Sequence, residues 1–226
     1  MTTREETLTR IKQSLQTGVL PSAALDRAST TAAIEIDRSM LIALFVREAQ
    51  AGGAEVFQPT ASAEVAETLI ELLKQTGQQA IMWPDEDLPI QGVREILLRA
   101  DVMRQAPDLA HDASVRRQTW LNLDRVQVGI TGAQAGIADT GSIVVQSGPQ
   151  RSRAASLLPE MHIALLSSDR LYPTMAAFFA AHDAPSLTLN SSNLVFITGP
   201  SRTADIEMII TRGVHGPKRL CVVLLP

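Results

Sequence analysis

Residues 54–83 read AEVFQPTASAEVAETLIELLKQTGQQAIMW, and the order of elements in this stretch decides the fold class. Residues 54–57 read as a short strand. Ser62 then stands where a helix begins, and Val65, Leu69, Leu72 and Leu73 recur on one face of it. Lys74 suits the last turn and Gly77 supplies the stop, after which residues 80–83 read as a second apolar strand. A strand, a helix and another strand in this order imply crossover connections and a mostly parallel sheet covered on both faces. Further along, residues 92–99 read as a helix and 101–103 as a third strand. The fold class expected is α/β, a mostly parallel sheet with helices on both faces.

Upstream, Thr3 and Glu6 have capping-box spacing ahead of an apolar stripe of Leu8, Ile11 and Leu15. A Pro, Ser, Thr and Ala stretch over 18–33 breaks the pattern. Asp37 then precedes a second helix carrying Met40, Leu41, Leu44 and Phe45, which Gly52 and Gly53 end. The expected division is a helical appendage at 1–53 and an α/β domain at 54–226. Downstream, residues 126–130 and 142–146 are strand-like and enclose TGAQAGIADTG (131–141), which reads as an antiparallel excursion or a loop over the sheet. Alternation is then expected to resume with a strand at 162–166, a helix at 174–182, a strand at 194–198, a helix at 204–212 and a closing strand at 220–225.

Composition narrows the function classes. Of 226 residues, 45% are hydrophobic and 19% charged, with a formal charge of −4. Nucleic-acid binding needs clustered Lys and Arg, and the pairs Arg116–Arg117 and Arg151/Arg153 are too small for it. Cys221 is the sole cysteine, so the chain can close no internal disulfide and cannot by itself ligate an iron–sulfur cluster. The N-terminal MTTREETLTRIKQSLQ has no apolar core of a signal peptide, and no run reaches membrane-span length, so a cytoplasmic protein is expected. No dinucleotide fingerprint or P-loop occurs, and His111, His162, His182 and His215 lack metal-ligand spacing. No cofactor and no metal are expected.

Chemistry concentrates in SSNLVFITGPSRTADIEMIITRGVHGP (191–217). An apolar strand runs into Gly199, Pro200, Ser201, Arg202 and Thr203. A helix striped by Ile206, Ile209 and Ile210 is expected next, ending at Gly213. Ligands in open parallel sheets bind beyond the carboxyl ends of strands. A helix start there, with Arg202 as a forked donor, suits a carboxylate or phosphate. Asp205 either pairs with Arg202 or works as an acid/base group. Ordinary helix capping explains the same residues. Gly199-x-Ser201-x-Thr203 lacks the final glycine of a hydrolase elbow. A second candidate loop runs through Asp139, Thr140, Gly141 and Ser142, readable as a turn or as small residues admitting a substrate beside a carboxylate. Arg151, Ser152, Arg153 and His162 form a third cluster, and His215 between Gly213 and Gly216 a fourth. Asp139, Thr140, Ser201, Arg202, Asp205 and His215 are expected to share one cleft.

The strings VGITG (128–132), ADTGS (138–142), Leu158-Pro159-Glu160-x-His162-Ile163, GPSRTADIE (199–207) and GVHGP (213–217) together closely resemble the lactate utilization domain family, from about Gln127 to Pro226. The family often carries Glu where Asp139 stands, which keeps the carboxylate. The resemblance implies the sugar isomerase and CoA-transferase fold. It also implies association with oxidation of L-lactate to pyruvate beside iron–sulfur-containing oxidoreductase subunits. Longer relatives add a Cys-rich tail, so a chain with one cysteine resembles the cluster-free form and leaves electron transfer to partners. The function expected is an accessory subunit that binds a small anionic ligand or its partners, with homo-oligomer formation open, and the purified protein is expected to be colourless. The alternative is an isomerase or transferase acting on a phosphorylated sugar or acyl-CoA. There Asp139 or Asp205 would be the general base, and Arg202 would hold the substrate's anionic end.

Overall fold

The computed structural model describes residues 3–17, 37–76, 79–105, 113–123, 125–182, 187, 191–204, 210–212 and 216–226. The chain divides into two units, Met1–Glu35 and Ile36–Pro226. The first holds α1 (Arg4–Thr17). Its start is closed reciprocally: the Glu6 N–H donates to Thr3 Oγ1 at 3.3 Å and the Thr3 N–H to Glu6 Oε2 at 2.9 Å, the capping box that the spacing predicts.

The second unit opens with α2 (Arg38–Ala51), β1 (Glu55–Phe57), α3 (Ser62–Lys74) and β2 (Gln79–Met82). It continues with α4 (Val93–Arg99), β3 (Met103–Gln105), α5 (Ala113–Leu123) and β4 (Val128–Gly132). Next come β5 (Ala135–Ile137), β6 (Ser142–Ser147), α6 (Ala154–Leu157), β7 (Met161–Ser167), β8 (Leu171–Tyr172) and α7 (Met175–Ala181). The last elements are β9 (Asn193–Ile197), β10 (Arg202–Ala204), β11 (Ile210–Arg212) and β12 (Arg219–Leu225).

Among the described residues, β1-β12-β7-β4-β2-β3 form a six-stranded sheet in that order, and every neighbouring pair is parallel. Burial on both faces explains the continuous apolar runs of β7 and β12. Val65, Leu69, Leu72 and Leu73 of α3 are all buried, as their spacing predicts. Leu41, Phe45 and Ala49 of α2 are buried in the same core. Cys221 is buried in β12 with its Sγ 3.6 Å from Met161 Sδ, and burial pushes its thiol up to about 12. No helix among the described residues is long and apolar enough to cross a membrane.

The stretch after β4 leaves the main sheet, as expected, and builds a second one in the order β8-β5-β6-β9. β5 and β6 pair antiparallel, with Ala135 opposite Val144. Ile143 and Val145 of β6, with Ala154 and Ala155 of α6, are buried in the same core as the six-stranded sheet. Two expectations are corrected here. The strand near 194–198 does not join the parallel sheet: it is β9, antiparallel to β6. The helix expected over 204–212 does not form at its described ends, where β10 and β11 pair antiparallel with Arg202 opposite Arg212. Thr203, Ile210 and Thr211 are β-branched, which favours extended backbone. The Ile spacing that reads as a helical stripe does not exclude a hairpin.

Candidate functional site

A parallel sheet opens a cleft where two neighbouring strands send their connections in opposite directions. β2 and β4 are such neighbours. β2 leads through α4 to the edge strand β3, whereas β4 leads through the second sheet to β7 on its other side. A cavity of about 320 Å³ lies beyond their carboxyl ends, lined by Trp83 and the 86–89 segment after β2 and by residues 132–134 after β4. Gln146, Arg151 and Arg170 complete the wall.

Each wall is held by backbone bonds. The Trp83 N–H donates to the Ile130 carbonyl at 3.2 Å, and its indole N–H to the Ser152 carbonyl at 3.0 Å. The Gln134 N–H donates to the Val144 carbonyl at 2.8 Å. Arg151 closes a four-residue turn: its N–H donates to the Gly148 carbonyl at 3.0 Å, and the Gly148 N–H returns a bond to the Arg151 carbonyl at 3.1 Å. Pro149 takes the second position of this turn and Gln150, at φ 61°, the third, the combination a type II turn requires.

Two buried polar atoms lining the cavity have no hydrogen-bond partner among the described residues, Arg151 Nε and Gln134 Oε1. Arg151 Nε lies 3.8 Å from Asp87 Oδ1, close enough for charge attraction but too far for a hydrogen bond. An unpaired donor on a cation and an unpaired acceptor in one cavity carry a desolvation cost that a ligand offering the complementary groups removes.

A second pocket, of about 160 Å³, lies at the opposite, amino end of the parallel strands. It is bounded by Leu220 of β12, His162 of β7, Arg153 and the 199–201 segment. His162 is 1% exposed, and its Nε2 sits 2.8 Å from Thr131 Oγ1. Burial holds this imidazole down at about 4, so it is neutral at neutral pH.

The model of the LUD domain family matches residues 42–225. The chain belongs to the LUD domain family. It is similar to lactate utilization protein C of Geobacillus sp. (strain WCH70), 33% identical over 170 residues that cover 74% of this chain and 70% of that one. Its similarity to lactate utilization protein C of Exiguobacterium sp. (strain ATCC BAA-1283 / AT1b) is 46% identity over 105 residues, 45% of each chain. Uncharacterized protein YkgG of Escherichia coli K12 is 29% identical over 169 residues, 74% of this chain and 71% of its own length. A crystal structure of a DUF162 family protein from Deinococcus radiodurans shares the fold, with a TM-score of 0.61 at 23% identity, covering 84% of this chain and 99% of that one.

Within the LUD domain, the loops singled out by sequence meet at the end of α2. Gly141, at φ 64°, packs so closely that a Cβ there would lie 2.1 Å from the Ala49 nitrogen, which only glycine permits. Ser142 Oγ lies 2.8 Å from Thr140 Oγ1 and 2.6 Å from Thr198 Oγ1, joining the two loops. Gly199 packs against the Gly52 carbonyl. The Arg202 guanidinium donates to that same carbonyl at 2.9 Å, a favourable place for a cation at a helix C-terminus. The Ser201 N–H donates to the Pro217 carbonyl at 2.9 Å, and Ser201 lines the second pocket. Asp139 is exposed, its N–H donating to the Pro173 carbonyl at 3.1 Å. Thr203 is the middle residue of β10. Asp205 and His215 lie outside the described residues.

The switch-point residues Trp83, Glu86, Asp87, Gln134 and Arg170 escape the sequence reading, and Arg151 enters it only within a cluster. The signal that finds them is strand order, because the cleft follows from which strands are neighbours.

Proposed function

We propose that this chain is an accessory subunit of a system oxidising L-lactate to pyruvate. In this reading it binds a small organic acid at the switch point beyond β2 and β4. It carries no redox centre of its own, and electron transfer belongs to iron–sulfur-containing oxidoreductase partners. The relatives named lactate utilization protein C support the process. The observation that carries the ligand class is the buried, unpartnered Arg151 Nε in the switch-point cavity. A carboxylate satisfies that donor through a charge-assisted bond, and the hydroxyl of a 2-hydroxy acid can donate to Gln134 Oε1. The loops at 139–142 and 199–203 are proposed to brace α2 and not to hold the ligand, since Arg202 already bonds the Gly52 carbonyl.

The reading is tested in cells. Deleting the gene should abolish growth on L-lactate as sole carbon source and leave growth on glucose unchanged. The wild-type gene should restore growth, and the purified tagged protein should bring down iron-containing subunits from lactate-grown cells. Unimpaired growth of the deletion strain on lactate would refute the accessory role.

A further inference from the structure

A second cavity adjoins the first along the same edge of the sheet. Its volume is about 460 Å³, and it lies past the carboxyl ends of β7 and β12, where Ser167 and Leu225 line it, and against the first turns of α3, where Ser62, Val65 and Ala66 do. Pro89 lines both cavities, so the short segment after β2 is common to them. The two differ in chemistry. The first is walled by Glu86, Asp87, Arg151 and Arg170, whereas among the described residues the second has no ionisable side chain in its lining: Val65, Ala66, Ile90, Ile96 and Leu225 give its apolar surface, and Ser62, Gln91 and Ser167 its polar one. Four adjacent strands, β12, β7, β4 and β2, therefore end beneath a space that is charged at one end and mixes apolar side chains with uncharged polar ones at the other.

Size points the same way. A three-carbon acid fills only part of a 320 Å³ cavity, and small-molecule sites generally start at roughly that volume. We infer that the ligand of this site is a carboxylic acid longer than lactate, with its ionised head against Arg151 and an uncharged aliphatic tail running past Pro89 into the cavity under α3. The inference rests on the proposed head site and extends it to chain-length specificity. Arg151 fixes the head, and Val65, Ile90 and Ile96 take the tail out of water. Each methylene moved from water onto such a surface favours binding by a constant factor until the cavity is full.

The test is a calorimetric series on the purified full chain with L-lactate, 2-hydroxybutanoate, 2-hydroxyhexanoate and 2-hydroxyoctanoate. The expected result is an affinity that rises about fourfold per added methylene, the factor for burying one CH₂ group. Ala66→Phe, which puts a ring into the second cavity, should flatten the series. A melting curve shows whether that variant folds, and where it does not, the wild-type series decides alone. An affinity that is flat or falls with chain length while lactate still binds would overturn this inference and leave the head site standing. Absence of binding by every acid in the series, lactate included, would overturn both.

Discussion

Gly129→Ala is expected to destabilise the domain by about 3 kcal/mol, although it adds a single methyl group. Gly129 lies in β4 opposite His162 of β7. A Cβ built on it would sit 1.6 Å from the Ala155 carbonyl oxygen and 2.7 Å from the carbonyl carbon. Those atoms are backbone of α6, so no side chain can swing aside to make room. The helix must lift off the strand. Lifting strains the anchor between the Trp83 indole and the Ser152 carbonyl just before α6 and disturbs Pro159, whose Cγ lies 3.1 Å from the same position. For a domain of this size the loss corresponds to a fall in melting temperature of roughly 6–12 °C. Urea unfolding of the two proteins checks it, and an unchanged midpoint would mean that α6 does not rest on β4.

The second large effect is a pH dependence. The His162 imidazole, ordinarily near 6.5, is held at about 4 by burial. The unfolded chain therefore takes up a proton at a higher pH than the folded one does. A group whose folded value is depressed in this way contributes stability that is complete above about pH 6.5 and is lost as the pH falls from there toward 4. The loss across that window is about 3 kcal/mol. His162→Gln keeps a polar side chain within reach of Thr131 but cannot titrate. The wild type should lose stability steeply between pH 6.5 and 4, and the variant, whatever its stability at neutral pH, should show a shallower decline. Parallel curves would place the acid sensitivity elsewhere.

Local periodicity carried much of the fold. The α3 stripe, the antiparallel excursion after β4 and the apolar run of β12 all follow from patterns that a strand or helix imposes on its own residues. The failures are pairing failures. Residues 194–198 look like a strand in either sheet, and only the contact with β6 assigns them to the second one. Residues 199–201 form a carboxyl-end ligand loop only if that strand is parallel to the main sheet; they lie instead at its amino end, beside Leu220 and His162. Arg151 and Arg153 sit two residues apart in sequence, yet Arg151 faces the switch-point cavity and Arg153 the pocket at the other end. Arg151 closes the turn after β6 and Arg153 stands just before α6, so neighbours in sequence line different cavities. Arg151 becomes legible as a site residue only when β2 and β4 are known to be neighbours.

The central claim is that the cavity beyond β2 and β4, and not the loop carrying Arg202, receives the ligand's carboxylate. Calorimetric titration of L-lactate into the wild type, Arg151→Gln and Arg202→Gln tests it most directly. Removing a hydrogen-bonded charge from a buried contact is worth about 1.5–3 kcal/mol. The account predicts saturable binding that weakens ten- to a hundredfold in Arg151→Gln and stays within about twofold of wild type in Arg202→Gln. Binding that survives loss of Arg151 and collapses with loss of Arg202 would contradict it.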